Sequence, residues 1–346
     1  MPKTKHILVI RLSAMGDVAM TVPVLRAFSI QHPDVKITVI SRPFFKPFFD
    51  TIPYVSFFGV DLKERHKGFL GLLRLFSDLK KFGITHVADI HNVLRSKVVR
   101  NLFALSGKKV AATDKGRADK KALTRAENKI FEPTKSMFER HIETFNKLGF
   151  QIDLANPTFP EKAVLSNNIL SKIGEISDFS KMKLIGIAPF AQYESKVYPL
   201  DLMQQVIDDL AKKPNQKIML FGGGKEEIQK LNQLQNHHKN VIVVAGNLTF
   251  TEELQLISNL DVMLSMDSGN SHIAAMLGVK VVTLWGATHP YAGFKPFNQP
   301  MENCLVSDRT KYPLLPTSVY GNKIVPGYED VMRSISVEKV VSSIEN

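Results

Sequence analysis

Short apolar runs recur along the whole chain, and a helix-length amphipathic segment follows most of them. Continuous Val, Ile and Leu runs predict strands buried on both faces, and the alternation predicts repeated βαβ units around parallel sheets. In the first half the pattern predicts strands at residues 6–10, 36–40 and 85–90, with shorter ones at 55–58 and 109–111. The second half carries runs at 184–188, 217–221, 241–244, 262–265 and 279–284. Five signals on each side predict an α/β protein with two doubly wound sheets.

A mixed stretch at 153–183, with Pro157, Pro160, Asn167 and Asn168, carries one helical segment at 165–176 and is where the joint between domains is expected. The predicted division is 1–165, 166–327 and a terminal helical segment, 328–346. From Trp285 to Gly327 the chain is rich in proline, glycine and asparagine, which predicts an active-site flank more than a linker. At 346 residues each domain is large enough to bury a core of its own.

Composition narrows the class. The one cysteine, Cys304, excludes an intramolecular disulfide and a multi-cysteine zinc site. No window holds the ~18–20 apolar residues of a membrane span or the core of a signal peptide, so a cytoplasmic chain is expected. Net charge is +12, and the excess is one-sided: residues 1–165 hold 28 Lys and Arg against 15 Asp and Glu, the remainder 17 against 18. Much of it clusters between Lys97 and Lys129, with a smaller group at Lys63, Arg65 and Lys67. Such a face concentrates an anionic partner. A nucleic acid is set aside, because neither aromatic stacking platforms nor a reading helix accompany the charge.

Candidate chemistry sits at predicted strand ends, where open parallel sheets bind ligands. The first strand runs into Arg11-Leu12-Ser13-Ala14-Met15-Gly16-Asp17, placing one carboxylate in a tight turn. Asp17 is the candidate catalytic group; the plainer role for it is a helix cap. Only Gly16 is present where a dinucleotide fingerprint needs three glycines, and no P-loop occurs, which disfavours a dehydrogenase.

The second half brings four signals. Ser265 to Gly278 reads as a strand end, a small polar turn and a helix whose free N–H groups, with Gly269 permitting close approach, form an anion site. His272 lies one turn in. Lys196 follows an earlier strand, where an ammonium suits a phosphate. Gly222-Gly223-Gly224-Lys225-Glu226-Glu227 ends a strand with glycines and then two acids, fit for a ribose or simply for the helix dipole. Ala245 to Thr249 ends another strand in a turn that would line a base pocket.

Taken together, RLSAMGDVAMTVPVL at the start, DIHNVLRS from Asp89, KVYP at Lys196, GGGKEE at Gly222, SMDSGNSHIAAMLG and VTLWGATHP resemble glycosyltransferase family 9, the lipopolysaccharide heptosyltransferase family. The resemblance implies a GT-B-like architecture: two Rossmann-like domains facing each other across a cleft, with a last helix packing back toward the first. It also implies inverting, metal-independent transfer of a sugar, a heptose from ADP-heptose, onto an acidic lipopolysaccharide-core or related glycolipid at the inner face of the cytoplasmic membrane, with no cofactor. The chain agrees in lacking any Asp-x-Asp pair.

By position, Asp17 takes the role of general base. Lys196, Glu226, Glu227, Leu248, Asp267, Ser268, Gly269 and His272 take those of donor contacts, with Glu226 and Glu227 left open as the ribose partner. The anionic acceptor is expected at Arg11, Arg95, Lys115, Arg117, Lys120 and Lys121. Tyr198 stands where the family often has Trp, and His91-Asn92 where Gln-Gly is common. Two other readings remain at this point: a non-catalytic GT-B scaffold that binds glycan or nucleotide, and a nucleotide-sugar epimerase of similar build.

Overall fold

The computed structural model describes residues 5–173, 181–323 and 325–346. The chain divides into two compact units: Met1–Gly116 with Lys135–Pro160, and Arg117–Thr134 with Glu161–Asn346.

The first unit contains β1 (His6–Ile10), α1 (Met15–Ala19), α2 (Thr21–Gln31), β2 (Lys36–Ser41), β3 (Val55–Gly59), α3 (Gly68–Lys80), β4 (His86–Asp89), α4 (Leu94–Leu105) and β5 (Lys109–Ala112). Its strands pair in the order β3-β2-β1-β4-β5, all parallel. One face is sealed by α3 and α4, whose Leu72, Leu75, Leu79, Val99 and Phe103 pack on Leu8, Ile10 and Val87. On the other face Phe28 of α2 meets Phe145 and Phe150, the former from a later helix, Met137–Lys147. The chain runs outward from β1 to β3, then returns to place β4 on the opposite side of β1. That reversal is a topological switch point, where the connections part and a crevice opens above the carboxyl ends.

The intervening α5 (Arg117–Thr124) belongs to the second unit, and α6 is the helix just named, Met137–Lys147. The second unit continues with α7 (Asn167–Ile173), β6 (Lys183–Ala188), α8 (Leu200–Ala211), β7 (Gln216–Leu220), α9 (Lys225–Gln235), β8 (Val241–Val243), α10 (Phe250–Ile257), β9 (Val262–Met266), α11 (Gly269–Met276), β10 (Lys280–Trp285), β11 (Cys304–Val306) and α12 (Val337–Glu345). Its parallel sheet is ordered β11-β10-β9-β6-β7-β8, so its switch point lies between β6 and β9.

Four expectations are corrected. The division falls near residue 160, not 165, and Arg117–Thr134 joins the second unit. Side-chain anchors explain the second point: Lys129 Nζ donates to Pro316 O at 2.8 Å, the Thr134 hydroxyl to Tyr291 O at 2.9 Å, and the Arg309 guanidinium lies 3.4 Å over the Phe131 ring. The edge strand β11 escaped the apolar pattern because it is three residues long. The segment read as one terminal helix breaks at Ser336, whose hydroxyl caps α12.

That last helix packs into the core of the second unit. Val337, Val340 and Ile344 are buried in the core that contains Met203, Val206, Ile207 and Leu210 of α8. Lys183 and Lys280 donate to its final carbonyls, at Ile344, Glu345 and Ser343, where cations offset the helix dipole. The predicted helix at 165–176 is described as far as Ile173; its remaining residues lie outside the described ones.

Candidate active site

At the first switch point, Arg11 continues beyond β1 with its N–H on Ile40 O, while Ser41 Oγ donates to its carbonyl at 2.5 Å. The side chain turns inward, the residue only 6% exposed, and Nη1 donates to Ile90 O at 2.8 Å while Nη2 pairs with Asp17 Oδ2 at 2.5 Å. Asp17 sits in the first turn of α1, and Oδ2 also accepts the Ala14 N–H at 3.3 Å. Its side chain stays about a third exposed, at 35%. The result is an oriented carboxylate at the edge of a crevice, held by Arg11 and the Ala14 N–H.

The wall opposite is built by the turn after β4. Buried Asp89 accepts the N–H groups of His91 (3.1 Å) and Asn92 (2.7 Å) and an Arg100 bond at 3.1 Å, fixing the turn that presents His91. Leu12 N–H donates to His91 Nδ1 at 3.4 Å, which puts the neutral ring's proton on Nε2. Burial, then the charges of Arg11 and Lys115, push this ring down to about 3, so it stays neutral. A cavity of about 270 Å3 opens here, lined in part by Leu12, Ser13, Arg42, His91, Leu94 and Arg95. The structure thus brings Arg11, Asp17, Arg95 and Lys115 to one edge and adds Arg42 and His91, which sequence reasoning did not assign to the site. Their signal was position alone: each follows a strand end.

At the second switch point the loop after β6 ends in a short turn, Glu194–Lys196, and the loop after β9 begins with Asp267. Lys196 Nζ and Asp267 Oδ2 lie 3.1 Å apart, both largely buried. Thr288, in the segment after β10, donates its hydroxyl to the same Oδ2 at 2.8 Å. Close packing holds the lysine stem: a Cβ on Gly321, at φ +85°, would meet Lys196 Cγ at 2.6 Å, and one on Gly286 would meet Ser195 O at 2.3 Å. Thr288 was quoted in its motif but given no part, because only the fold shows that β10 lies beside β9.

Ser268 is the N-cap of α11 but makes no capping hydrogen bond; its hydroxyl lies 3.1 Å from Ser265 Oγ. The first-turn N–H groups that begin at Gly269 therefore have no side-chain cap and lie next to Asp267 in sequence. His272 is buried within that helix. Glu227 folds back to accept the Gly223 N–H at 2.8 Å, whereas Glu226 stands exposed in the same turn. Leu248 is half-buried, one residue before the Thr249 cap of α10.

The expected acceptor set is divided. Arg117 and Lys121 are exposed on α5, which is part of the second unit, and Lys120 is only 4% exposed, with its ammonium 4.0 Å from the Phe294 ring centroid. Lys120 thus serves packing within that unit. Tyr198 is fully buried, its hydroxyl on Ile335 O at 2.7 Å, so the aromatic position after Lys196 is a core anchor. Among the described residues no helix is long and apolar enough to cross a membrane, and no group of three or more His, Cys, Asp or Glu is placed to hold a metal ion.

Two parallel, doubly wound sheets, each with polar groups gathered at its switch point, define a GT-B-like fold. The family model for glycosyltransferase family 9 (heptosyltransferase) matches residues 72–321. The chain belongs to glycosyltransferase family 9 and is a glycosyltransferase. It is 22% identical over 288 residues to the lipopolysaccharide core heptosyltransferase OpsX of Haemophilus influenzae, covering 83% of this chain and 80% of that one. In fold it is similar to the crystal structure of a family 9 glycosyl transferase from Veillonella parvula, with a TM-score of 0.72, 18% identity and coverage of 100% and 97%. The E. coli heptosyltransferase WaaC with ADP is similar at a TM-score of 0.67 and 17% identity, over 98% of this chain and 99% of that one.

Proposed function

We propose that this chain is an inverting, metal-independent heptosyltransferase that moves heptose from ADP-heptose onto an anionic lipopolysaccharide-core acceptor, working peripherally at the inner face of the cytoplasmic membrane. The observation that carries the reading is the convergence of Lys196 and Thr288 on one oxygen of Asp267, beside the uncapped start of α11. This leaves Asp267 Oδ1 for sugar hydroxyls. The α11 N–H groups and the Lys196 ammonium receive the charge that builds on the departing diphosphate. Relatives named as heptosyltransferases, and a structural neighbour with ADP, support the donor.

In the first unit Asp17 accepts the proton of the acceptor hydroxyl as its oxygen attacks the anomeric carbon opposite the leaving ADP. Arg11 fixes the carboxylate, and Arg42, Arg95 and Lys115 draw the acceptor's anionic groups to the cavity. In the second unit Glu226 is the ribose partner, since Glu227 is engaged with its own glycine turn. Leu248 lies against the base, and His272 backs the diphosphate grip.

A nucleotide screen followed by turnover tests this. ADP is expected to raise the melting temperature more than UDP, GDP or CDP, because a ligand that binds only the folded form stabilises it. ADP release from ADP-heptose is expected only when a phosphorylated core acceptor is present. Preference for another nucleotide overturns the donor, and acceptor-independent conversion of the donor overturns the transfer.

A further inference from the structure

We infer that residues 117–134 form a clamp on the donor grip, in which Phe131 is a positioning residue that acts through His289 on Thr288. The inference rests on the proposed function in taking Thr288 and Asp267 as donor contacts. The chain enters the second unit at Arg117 and leaves it after Thr134, and this excursion adds no strand to either sheet. Its anchors fall instead on the stretch after β10, where Thr288 lies.

Thr288 needs support from its neighbours. It lies beyond the end of β10 at Trp285 and, among the described residues, makes no backbone–backbone hydrogen bond. Ala287 before it is fixed: its N–H donates to Ser195 O at 3.1 Å, and its carbonyl accepts the N–H groups of Thr317 (3.0 Å) and Ser318 (3.2 Å). His289 after it is held by its ring. Nδ1 accepts the Tyr291 N–H at 3.1 Å, and the ring meets Phe131 edge-on at a centroid distance of 5.0 Å and Tyr291 at 4.5 Å. Burial, then the charge of Arg309, holds this imidazole down to about 4, so the neutral form stands beside the guanidinium without repulsion.

Phe131 is fixed in turn. The Arg309 guanidinium lies 3.4 Å over its ring while Arg309 Nε donates to Leu315 O at 3.0 Å, and the Tyr291 ring sits 5.0 Å away. On either side of Phe131 the segment is pinned to the same stretch of chain: Lys129 Nζ donates to Pro316 O at 2.8 Å, and the N–H and hydroxyl of Thr134 both donate to Tyr291 O at 2.9 Å. Each ring pair or cation–ring contact is weak alone, but together they give His289, and the backbone that carries Thr288, one position. A shift of that backbone takes the Thr288 hydroxyl off Asp267 Oδ2, which it reaches at 2.8 Å, because a hydrogen bond falls away steeply with distance and angle.

Calorimetric titration of ADP-heptose into the full chain tests the clamp through a mutant cycle. Phe131→Ala is expected to weaken binding by about fivefold, no more than Thr288→Val does, and to add less than about 1.5-fold once residue 288 is valine. Phe131→Tyr, which keeps the ring, is expected to bind the donor as the wild type does. Phe131→Leu keeps most of the apolar volume, so it separates the effect from a general loss of folding; about a twofold loss is expected, with the same failure to multiply. Unchanged affinity in the alanine and leucine variants, or losses that multiply with that of Thr288→Val, overturns the clamp. The donor reading survives that result as long as Thr288→Val by itself weakens binding. Wild-type affinity in Thr288→Val overturns the donor role of Thr288 and the clamp with it.

Discussion

At the residue scale, the chemistry assigned to the second unit depends on two donors sharing one carboxylate oxygen. Removing Lys196 leaves Asp267 with only Thr288, and removing Asp267 leaves a buried ammonium without its partner, so the two losses overlap. Lys196→Ala and Asp267→Ala are each expected to weaken ADP-heptose binding by ~10- to 100-fold, with the double variant well short of the product. Thr288→Val, which keeps size and removes the donor, is expected to cost about fivefold. Calorimetric titration of the four-member cycle checks this; strict additivity would mean that the contact does not organise the site. Asp17, Lys196 and Asp267 could be singled out in the sequence because each lies in the turn or loop that follows an apolar run, with Asp267 immediately after β9. Thr288, Arg42 and His91 were not, because their parts depend on which strands become neighbours.

At the element scale, the strands buried on both faces were legible because an unbroken Val, Ile and Leu run has few other uses. What went unread depends on contacts distant in sequence. Lys120 looks like surface charge until α5 is seen against Phe294, and Arg117–Thr134 looks like part of the first domain until Lys129 is seen on Pro316 O. The terminal helix is the sharpest case, since its amphipathic pattern shows a buried face but not what buries it. Ile344 has no exposed surface and packs in the core shared with α8. Ile344→Ala is expected to destabilise the second unit by about 2–5 kcal/mol. Denaturant unfolding followed by a probe near Trp285 measures it. A loss below about 0.5 kcal/mol, typical of a surface substitution, would contradict the packing.

For the whole molecule, two buried imidazoles make stability depend on acid. Burial, then neighbouring cations, holds His91 down to about 3 and His289 to about 4. In the unfolded chain both titrate near 6.5. Between those values the unfolded chain binds more protons, so stability is full above about pH 6.5 and falls as the pH drops toward 4, by up to about 1.4 kcal/mol per pH unit for each histidine. The melting temperature is therefore expected to fall between about pH 7.5 and about pH 5. His91→Gln, which keeps an acceptor for Leu12 N–H, is expected to flatten that fall; an unchanged slope would show that His91 takes its proton as readily folded as unfolded.

The division of labour between the units is the central claim, and Asp17→Asn tests it most directly, through the rate of heptose transfer to a phosphorylated core acceptor measured beside the dissociation constant for ADP-heptose. Loss of the proton acceptor is predicted to lower the rate by about 10²- to 10⁴-fold while donor affinity stays within about twofold, since every residue of the proposed donor grip belongs to the other unit. Transfer at the wild-type rate, or a collapse of donor binding to match the lost activity, would contradict it.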